Sequence, residues 1–157
     1  MPKVSVIIPI YNSDCYIEKC IRSLFEQTLD DIEYIFVNDC TPDKSITILQ
    51  CILQEYPMRK EQVKIIEHNK NKGSAAARNT GLKNSTGQYI IFCDSDDWVE
   101  RDMYEKLLRK ALETCADIVA CDYYDDYINR SIVRKQLFPQ EPQKCVEEMM
   151  KGKLHCS

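Results

Sequence analysis

Two hydrophobic periods alternate along the chain. Val4-Ser5-Val6-Ile7-Ile8 is an almost continuous apolar run, so Lys3 to Ile8 reads as a buried strand ended by Pro9. Ile17, Cys20, Ile21, Leu24 and Phe25 then fall on one face of a helix, with Ser13 or Asp14 as its cap and Asp30-Asp31 as its break. Glu33 to Val37 predicts a second strand. Ile46, Leu49, Ile52, Leu53 and Tyr56 predict a second helix, closed by Pro57, and Val63 to Ile66 a third, shorter strand. Ser74 to Leu82 is rich in alanine and predicts a helix capped by Ser74, its small residues packing close to the sheet and Asn84 to Gly87 leading out. Gln88 to Phe92 is a fourth strand. Tyr104, Leu107, Leu108, Ala111, Leu112 and Cys115 form another helical stripe, and Asp117 to Asp122 a fifth strand.

Strands alternating with helices predict an α/β, Rossmann-like fold: a mostly parallel sheet with helices on both faces and right-handed crossovers. Past Tyr123 the pattern loses its period. Tyr123 to Tyr127 reads as an exposed turn and Ser131 to Phe138 as a strand, an edge hairpin being one form of it. Pro139 to Pro142 is a break, and Lys144 to Lys151 a short helix ending at Gly152.

Composition narrows the function classes. The 157 residues carry a net charge of −4, which argues against a general binder of nucleic acid or anionic membrane. No secretory leader is visible in Met1 to Ile8, and no apolar run has the length of a membrane span, so a cytoplasmic location is expected. Nine cysteines are scattered without any Cys-x-x-Cys pair, which speaks against a zinc or thioredoxin-like site. Cys20, Cys51, Cys93, Cys115 and Cys121 fall within apolar patterns and are expected to be reduced core residues.

The chemistry gathers where the strands end. Tyr11-Asn12, Asn38-Asp39 and Asp94-Ser95-Asp96 all follow apolar runs, and a parallel sheet would open all three on one edge. Asp94 and Asp96, two positions apart, would point to one side and share a divalent cation, Mg²⁺ or Mn²⁺. An acidic turn, or a helix cap at Asp96 or Asp97, fits the same spacing. Asp39 fits either an acceptor for a base or ribose, or a cap or turn acceptor within its own segment. Arg78, with Lys72 nearby, suits a diphosphate, or else a salt bridge to the strand-end acids. His68 reads as a surface or strand-end residue with no nucleophile to pair with. Trp98 fits packing over the strand end or stacking on a ligand. A glycine-rich dinucleotide turn and a P-loop are both absent.

Four ordered blocks carry a resemblance: Val4 to Asn12, Val37 to Asp43, Asn71 to Gly81, and Asp94-Ser95-Asp96-Asp97. Together, over about Lys3 to Leu112, they resemble the signature of the family 2 glycosyltransferases of the GT-A fold. That resemblance implies inverting transfer of a hexosyl group from a nucleotide-sugar, usually a UDP-sugar, assisted by Mn²⁺ or Mg²⁺. The acceptor it implies is a saccharide or lipid-linked saccharide in polysaccharide biosynthesis, which would put the intact protein in the cytoplasm or at the inner face of the membrane. Carried over by position, Pro9, Tyr11 and Asn12 line the base and ribose pocket and Asp39 bonds the base. Lys72 and Arg78 lie beside the phosphates or sugar, Asp94 and Ser95 near the ribose or sugar, and Asp96, with Asp94, on the metal. Cys40 stands where the family usually has glycine, and Asn38 where it often has aspartate.

The general base of the family comes from a later acidic motif. Asp122, Asp125 and Asp126 follow the fifth strand too soon to be it, so no catalytic residue is assigned. The expected organisation is a donor-binding domain over residues 1–123 and the start of an acceptor-side region over 124–157, able to bind donor without completing transfer. A non-catalytic nucleotide-sugar module and a sugar-phosphate nucleotidyltransferase are the alternatives. The latter wants a glycine-rich basic loop where Pro9-Ile10-Tyr11-Asn12 stands.

Overall fold

The computed structural model describes residues 1–127, 130–135 and 144. The chain forms two compact units, Met1–Leu108 and Arg109–Ser157. The first holds β1 (Val4–Ile10), α1 (Ile17–Phe25), β2 (Ile32–Asn38), α2 (Ser45–Glu55), a 3₁₀ helix (Pro57–Gln62), β3 (Val63–Glu67), α3 (Ser74–Asn84) and β4 (Tyr89–Phe92). Helix α4 (Met103–Thr114) begins in the first unit and ends in the second, which also contains β5 (Tyr123–Tyr127) and β6 (Arg130–Arg134).

The four-stranded sheet has the order β3-β2-β1-β4 and every pairing in it is parallel. The chain winds outward from β1 through β2 to β3, then returns to add β4 on the other side of β1. The reversal makes β1/β4 the switch point of the sheet, the place where open α/β folds take their ligands. Strand alternation divides the core. Val4, Val6, Ile8 and Ile10 pack with the α1 stripe (Ile17, Cys20, Ile21, Leu24 and Phe25), with Leu49 and Ile52 of α2, and with Tyr104. On the opposite face Ile35 and Val37 pack with Ala77 of α3. A Cβ at Gly81 of α3 would stand 2.3 Å from Ile7 Cγ2, so the small residues of that helix set how close it lies to β1.

Several local expectations are corrected. Pro9 lies inside β1, which runs on to Ile10. It sits on the side facing β4, whose last paired residue, Phe92, is level with Ile7, so the missing N–H removes no ladder bond. Neither Ser13 nor Asp14 caps α1. Tyr16 is the cap residue without a side-chain bond, and the Ser13 carbonyl accepts from the Tyr16 and Ile17 amides. Helix α1 stops at Phe25, well before Asp30-Asp31, and the buried Arg59 guanidinium takes up the following carbonyls of Phe25 (3.0 Å), Gln27 (2.5 Å) and Leu29 (3.3 Å). Gly73, with φ +87°, is the cap position of α3, and Ser74 is the first helical residue.

Asp117 to Asp122 forms no strand. Ile118 is 75% exposed, and the strand begins where that run ends, at Tyr123. The expected turn at Tyr123 to Tyr127 is instead β5, paired antiparallel with β6. Tyrosines favour strands, and cross-strand partners hold the hairpin: Arg134 with Asp125 at 2.6 Å, and Ser131 with Asp126. The expected strand to Phe138 is described only to Arg134, and Pro139 to Pro142 and the helix to Lys151, Lys144 apart, lie outside the described residues. Cys20 and Cys93 are buried thiols, whereas Cys51, Cys115 and Cys121 are exposed, on helix or loop positions turned away from the core. No helix among the described residues is long and apolar enough to cross a membrane.

Near the N-terminal ends of the strands, the buried Glu33 joins three segments. Its carboxylate accepts from Ser5 Oγ (2.6 Å), Lys64 Nζ (2.7 Å), and the amide (2.6 Å) and hydroxyl (2.9 Å) of Thr86.

Candidate functional site

At the other end of the sheet the turns after β1, β2 and β4 enclose a cleft of about 280 Å³. Of the residues expected there, Pro9, Tyr11, Asp39, Asp94, Ser95 and Asp96 line it, and Ile10, Asn71, Gly73, Ser74 and Ala77 complete the wall. Asn12, Lys72 and Arg78 do not line it. They act on residues that do, or on the turns that carry them.

The first two turns are locked together by Asp43. Its carboxylate accepts from the Asp14 amide (2.8 Å), from Thr41 Oγ1 (2.8 Å) and from the amide (3.1 Å) and hydroxyl (2.8 Å) of Ser45. Burial alone would raise its pKa, but these donors outweigh it and bring it to about 2. Asn12, at φ +58°, donates its amide to Thr41 Oγ1 at 2.8 Å, and Cys40 also takes φ +58°. Ser13 Oγ bonds Ser95 Oγ at 2.6 Å, tying the β1 turn to the β4 turn, so the buried Ser95 hydroxyl faces the fold.

Asp39 is 2% exposed and sits just past β2. Oδ1 accepts from His68 Nδ1 (2.7 Å) and the Lys72 amide (2.9 Å), and Oδ2 from the Gly73 amide (2.7 Å). Burial acts to raise its pKa, yet the His68 bond and the two amides win and hold it below the usual carboxylate range. The expected cap on the α2 side is therefore not its role. It holds the N-terminal end of α3, where the helix dipole favours a negative charge. His68, expected as a surface or strand-end residue, does follow β3 but is buried, its other ring nitrogen 2.9 Å from Thr80 Oγ1.

The acidic turn is anchored from both sides. The Asp94 carbonyl accepts from the Asp97 amide (3.0 Å) and lies 3.6 Å from the thiols of Cys20 and Cys93. Its carboxylate pairs with Arg78 Nη2 at 2.5 Å, while the Arg78 guanidinium lies 5.9 Å from the Phe92 ring centre and its Nε is buried without an acceptor. Asp96 is exposed at the cleft. Burial, then the charges of Asp96 and Asp94, raise the pKa of Asp97. Neither Asp96 nor Asp97 caps a helix, since α4 starts at Met103. Trp98 carries Lys19 Nζ 4.4 Å from its ring centre and lines a separate groove beside α1 with Val99.

A ligand entering this cleft meets one strongly ionised carboxylate, a second carboxylate balanced by a guanidinium, and an exposed third. Sequence reasoning missed the organising roles of Asp43, His68 and Ser13. The partners that give these residues their organising roles, Asp14 for Asp43, Asp39 for His68 and Ser95 for Ser13, stand 29 or more residues away.

Comparison with known proteins agrees with this geometry. The sequence matches the Glycosyl transferase family 2 profile over residues 5–155. It is 44% identical over 130 residues to an uncharacterized glycosyltransferase, EpsJ, of Bacillus subtilis, covering 83% of this chain and 36% of that protein. It is 43% identical over 122 residues to the glycosyltransferase GlyA of Streptococcus pneumoniae, covering 78% of this chain and 17% of GlyA. Among solved structures, TarS 1–349 of Staphylococcus aureus in complex with UDP superposes with a TM-score of 0.66 at 29% identity, over 73% of this chain and 33% of that one. A mannosyltransferase of Pyrobaculum calidifontis in complex with GDP-Man and Mn²⁺ gives 0.64 at 26% identity, over 70% of this chain and 32% of its own.

The chain belongs to glycosyltransferase family 2 and has the GT-A fold. It spans about a third or less of the length of these relatives.

Proposed function

We propose that this chain binds the nucleoside-diphosphate sugar of a metal-assisted, inverting glycosyltransferase, a UDP-sugar being the first expectation. The observation that carries the reading is the cleft at the switch point, where the ends of β1, β2 and β4 set Tyr11, Asp39 and the Asp94–Asp96 turn around one space. An ionised Asp39 only accepts hydrogen bonds. It therefore favours a base with a ring N–H, uracil or guanine, over adenine or cytosine, whose ring nitrogens at that edge are acceptors. Pro9, Tyr11 and Asn12 are assigned to base and ribose, and Arg78 and Lys72 to the diphosphate or sugar. The pairing of the part-exposed Arg78 guanidinium with Asp94, which lines the cleft, supports this.

The donor set also suits Mg²⁺ or Mn²⁺. Among the described residues no cluster of three His, Cys, Asp or Glu side chains could hold a metal alone. The crowded charge of the acidic turn matches the other arrangement, one or two carboxylates with the remaining ligands from phosphate and water. Asp96, exposed at the cleft, is assigned as the main protein ligand, with Asp94 beside it. When bound, such a cation would offset charge developing on the departing diphosphate. The general base and the saccharide acceptor site are assigned to the portion of the relatives' length that this chain does not span.

Thermal unfolding with UDP, GDP or ADP, each with Mn²⁺ or EDTA, tests the reading. Ligand at ~100 times its dissociation constant stabilises by about 2.7 kcal/mol. That raises Tm by about 5–10 °C in a domain of this size. UDP or GDP with Mn²⁺ should give the shift, ADP should not, and Asp96→Ala should remove the metal-dependent part. Undiminished Mn²⁺-dependent binding in Asp96→Ala would remove that residue from the assignment.

A further inference from the structure

We propose that His68 is a positioning residue for nucleotide recognition: it aims the Asp39 carboxylate into the cleft through a Thr80–His68–Asp39 array. The inference rests on the donor-site reading above and adds to it a residue outside the cleft wall.

The array is built from three elements. His68 directly follows β3, and its amide donates to the Asn38 carbonyl at 2.9 Å, so its backbone prolongs the β2–β3 ladder. Its ring is almost wholly enclosed, with 4% of the side chain exposed against 3% for Asp39. A carboxylate has no proton to give, so Nδ1 carries the hydrogen toward Asp39 Oδ1 at 2.7 Å. In the neutral ring Nε2 is then an acceptor, and the Thr80 hydroxyl, 2.9 Å away, is its donor. Both ring nitrogens are used, and their partners fix the tautomer and the ring plane.

The other contacts of Asp39 come from the amides of Lys72 and Gly73, on a turn whose residues are exposed. His68 is the contact that comes from the rigid sheet. Thr80 lies on α3, the helix that carries Arg78 and, through it, the Asp94 carboxylate. The ring thus links the carboxylate assigned to the base with the helix assigned to the phosphates. Its loss should weaken ground-state binding of the nucleotide, because its ring bonds Asp39, the residue assigned to the base, and Thr80.

The test is isothermal titration of the 157-residue chain with UDP and with GDP in Mn²⁺, with circular dichroism to confirm the fold. Wild-type binding establishes the donor site itself, and its absence would instead overturn the donor-site reading. Against that baseline His68→Leu should weaken the tighter nucleotide at least tenfold. His68→Asn, whose amide nitrogen replaces Nδ1, should recover affinity to within about threefold of wild type. In an Asp39→Asn background, His68→Leu should cause no further loss, a coupling that general loosening of the fold would not produce. Thr80→Val, which deletes only the rear hydroxyl, gives a milder variant should His68→Leu not fold. It should weaken binding by threefold or more, again only while Asp39 is present. Binding by a folded His68→Leu (or by Thr80→Val in its place) within twofold of wild type, or a loss that persists in the Asp39→Asn background, overturns the proposal.

Discussion

Replacing Glu33 by Gln separates the stability of the sheet from the chemistry of the cleft. The carboxylate is 5% exposed and lies near the strand end away from the site. Burial alone would raise its pKa, but Lys64, Ser5 and the two Thr86 donors outweigh that and take it from 4.5 to about 2. At 1.36 kcal/mol per pH unit this gap corresponds to about 3 kcal/mol. The sign follows from linkage. A carboxyl whose folded pKa is depressed contributes fully above 4.5 and loses its contribution as pH falls through about 2. Because the Lys64 side chain is 47% exposed, solvent weakens the ion pair, and about 2 kcal/mol is the working expectation. Glutamine keeps an oxygen for Ser5 and Thr86 but turns an amide N–H₂ toward the Lys64 ammonium. Urea unfolding followed by circular dichroism, at pH 7 and at steps down to pH 2.5, reads the effect. Glu33→Gln should be less stable by about 2 kcal/mol at pH 7, with the gap closing between pH 5 and pH 2.5. Asp43 also titrates low in that range, but it is common to both proteins and cancels in the difference. A gap under about 0.5 kcal/mol at pH 7, or one that stays constant with pH, would refute the reasoning.

Gly81→Ala should lower Tm despite the helix preference of alanine, since the new methyl meets the enclosed Ile7 at 2.3 Å. Overpacking of about 1–3 kcal/mol exceeds the ~1 kcal/mol gain in propensity; calorimetry that finds an unchanged or higher Tm would contradict it. Cys40→Gly should act the other way, because Cys40 is exposed and holds φ +58°. Relief of a left-handed strain of about 1–2 kcal/mol, less the backbone entropy of glycine, leaves a gain of about 0.5–1 kcal/mol. Urea unfolding checks it, and a loss of stability would count against the turn geometry.

Much of the first unit was legible because its signals are local. The stripe Ile17, Cys20, Ile21, Leu24 and Phe25 is the set that α1 buries, and the polar residues after three apolar runs do meet at one edge. Asp39 and Asp96, both read from those strand ends, share the cleft. Periodicity says nothing about which turn a carboxylate will hold. Asp39 reaches a turn 33 residues on, Asp43 reaches back 29 to Asp14, and Ser95 reaches back 82 to Ser13. These are tertiary facts with no sequence period. Helix caps failed for a related reason: side chains such as Ser13 and Ser74 had candidate roles in their own segments, but packing and a glycine at φ +87° set where the helices begin. The error at Asp117 to Asp122 came from reading apolarity as strand when Ile118 lies open to solvent and the hairpin downstream takes the pairing.

The position of β4 also governs when the cleft comes into being. Among the described residues it pairs only with β1, Val4 standing opposite Tyr89, with α1, β2, α2, the 3₁₀ helix, β3 and α3 strung between the two in sequence. Such a pairing of high sequence separation costs more loop entropy than any other in the sheet and forms slowly. During synthesis the strands β1 to β3 can assemble while the acidic turn is still unmade, and the turn arrives only with the strand that completes the sheet. If the cleft takes a nucleotide as proposed, its capture in refolding should lag the recovery of helical signal.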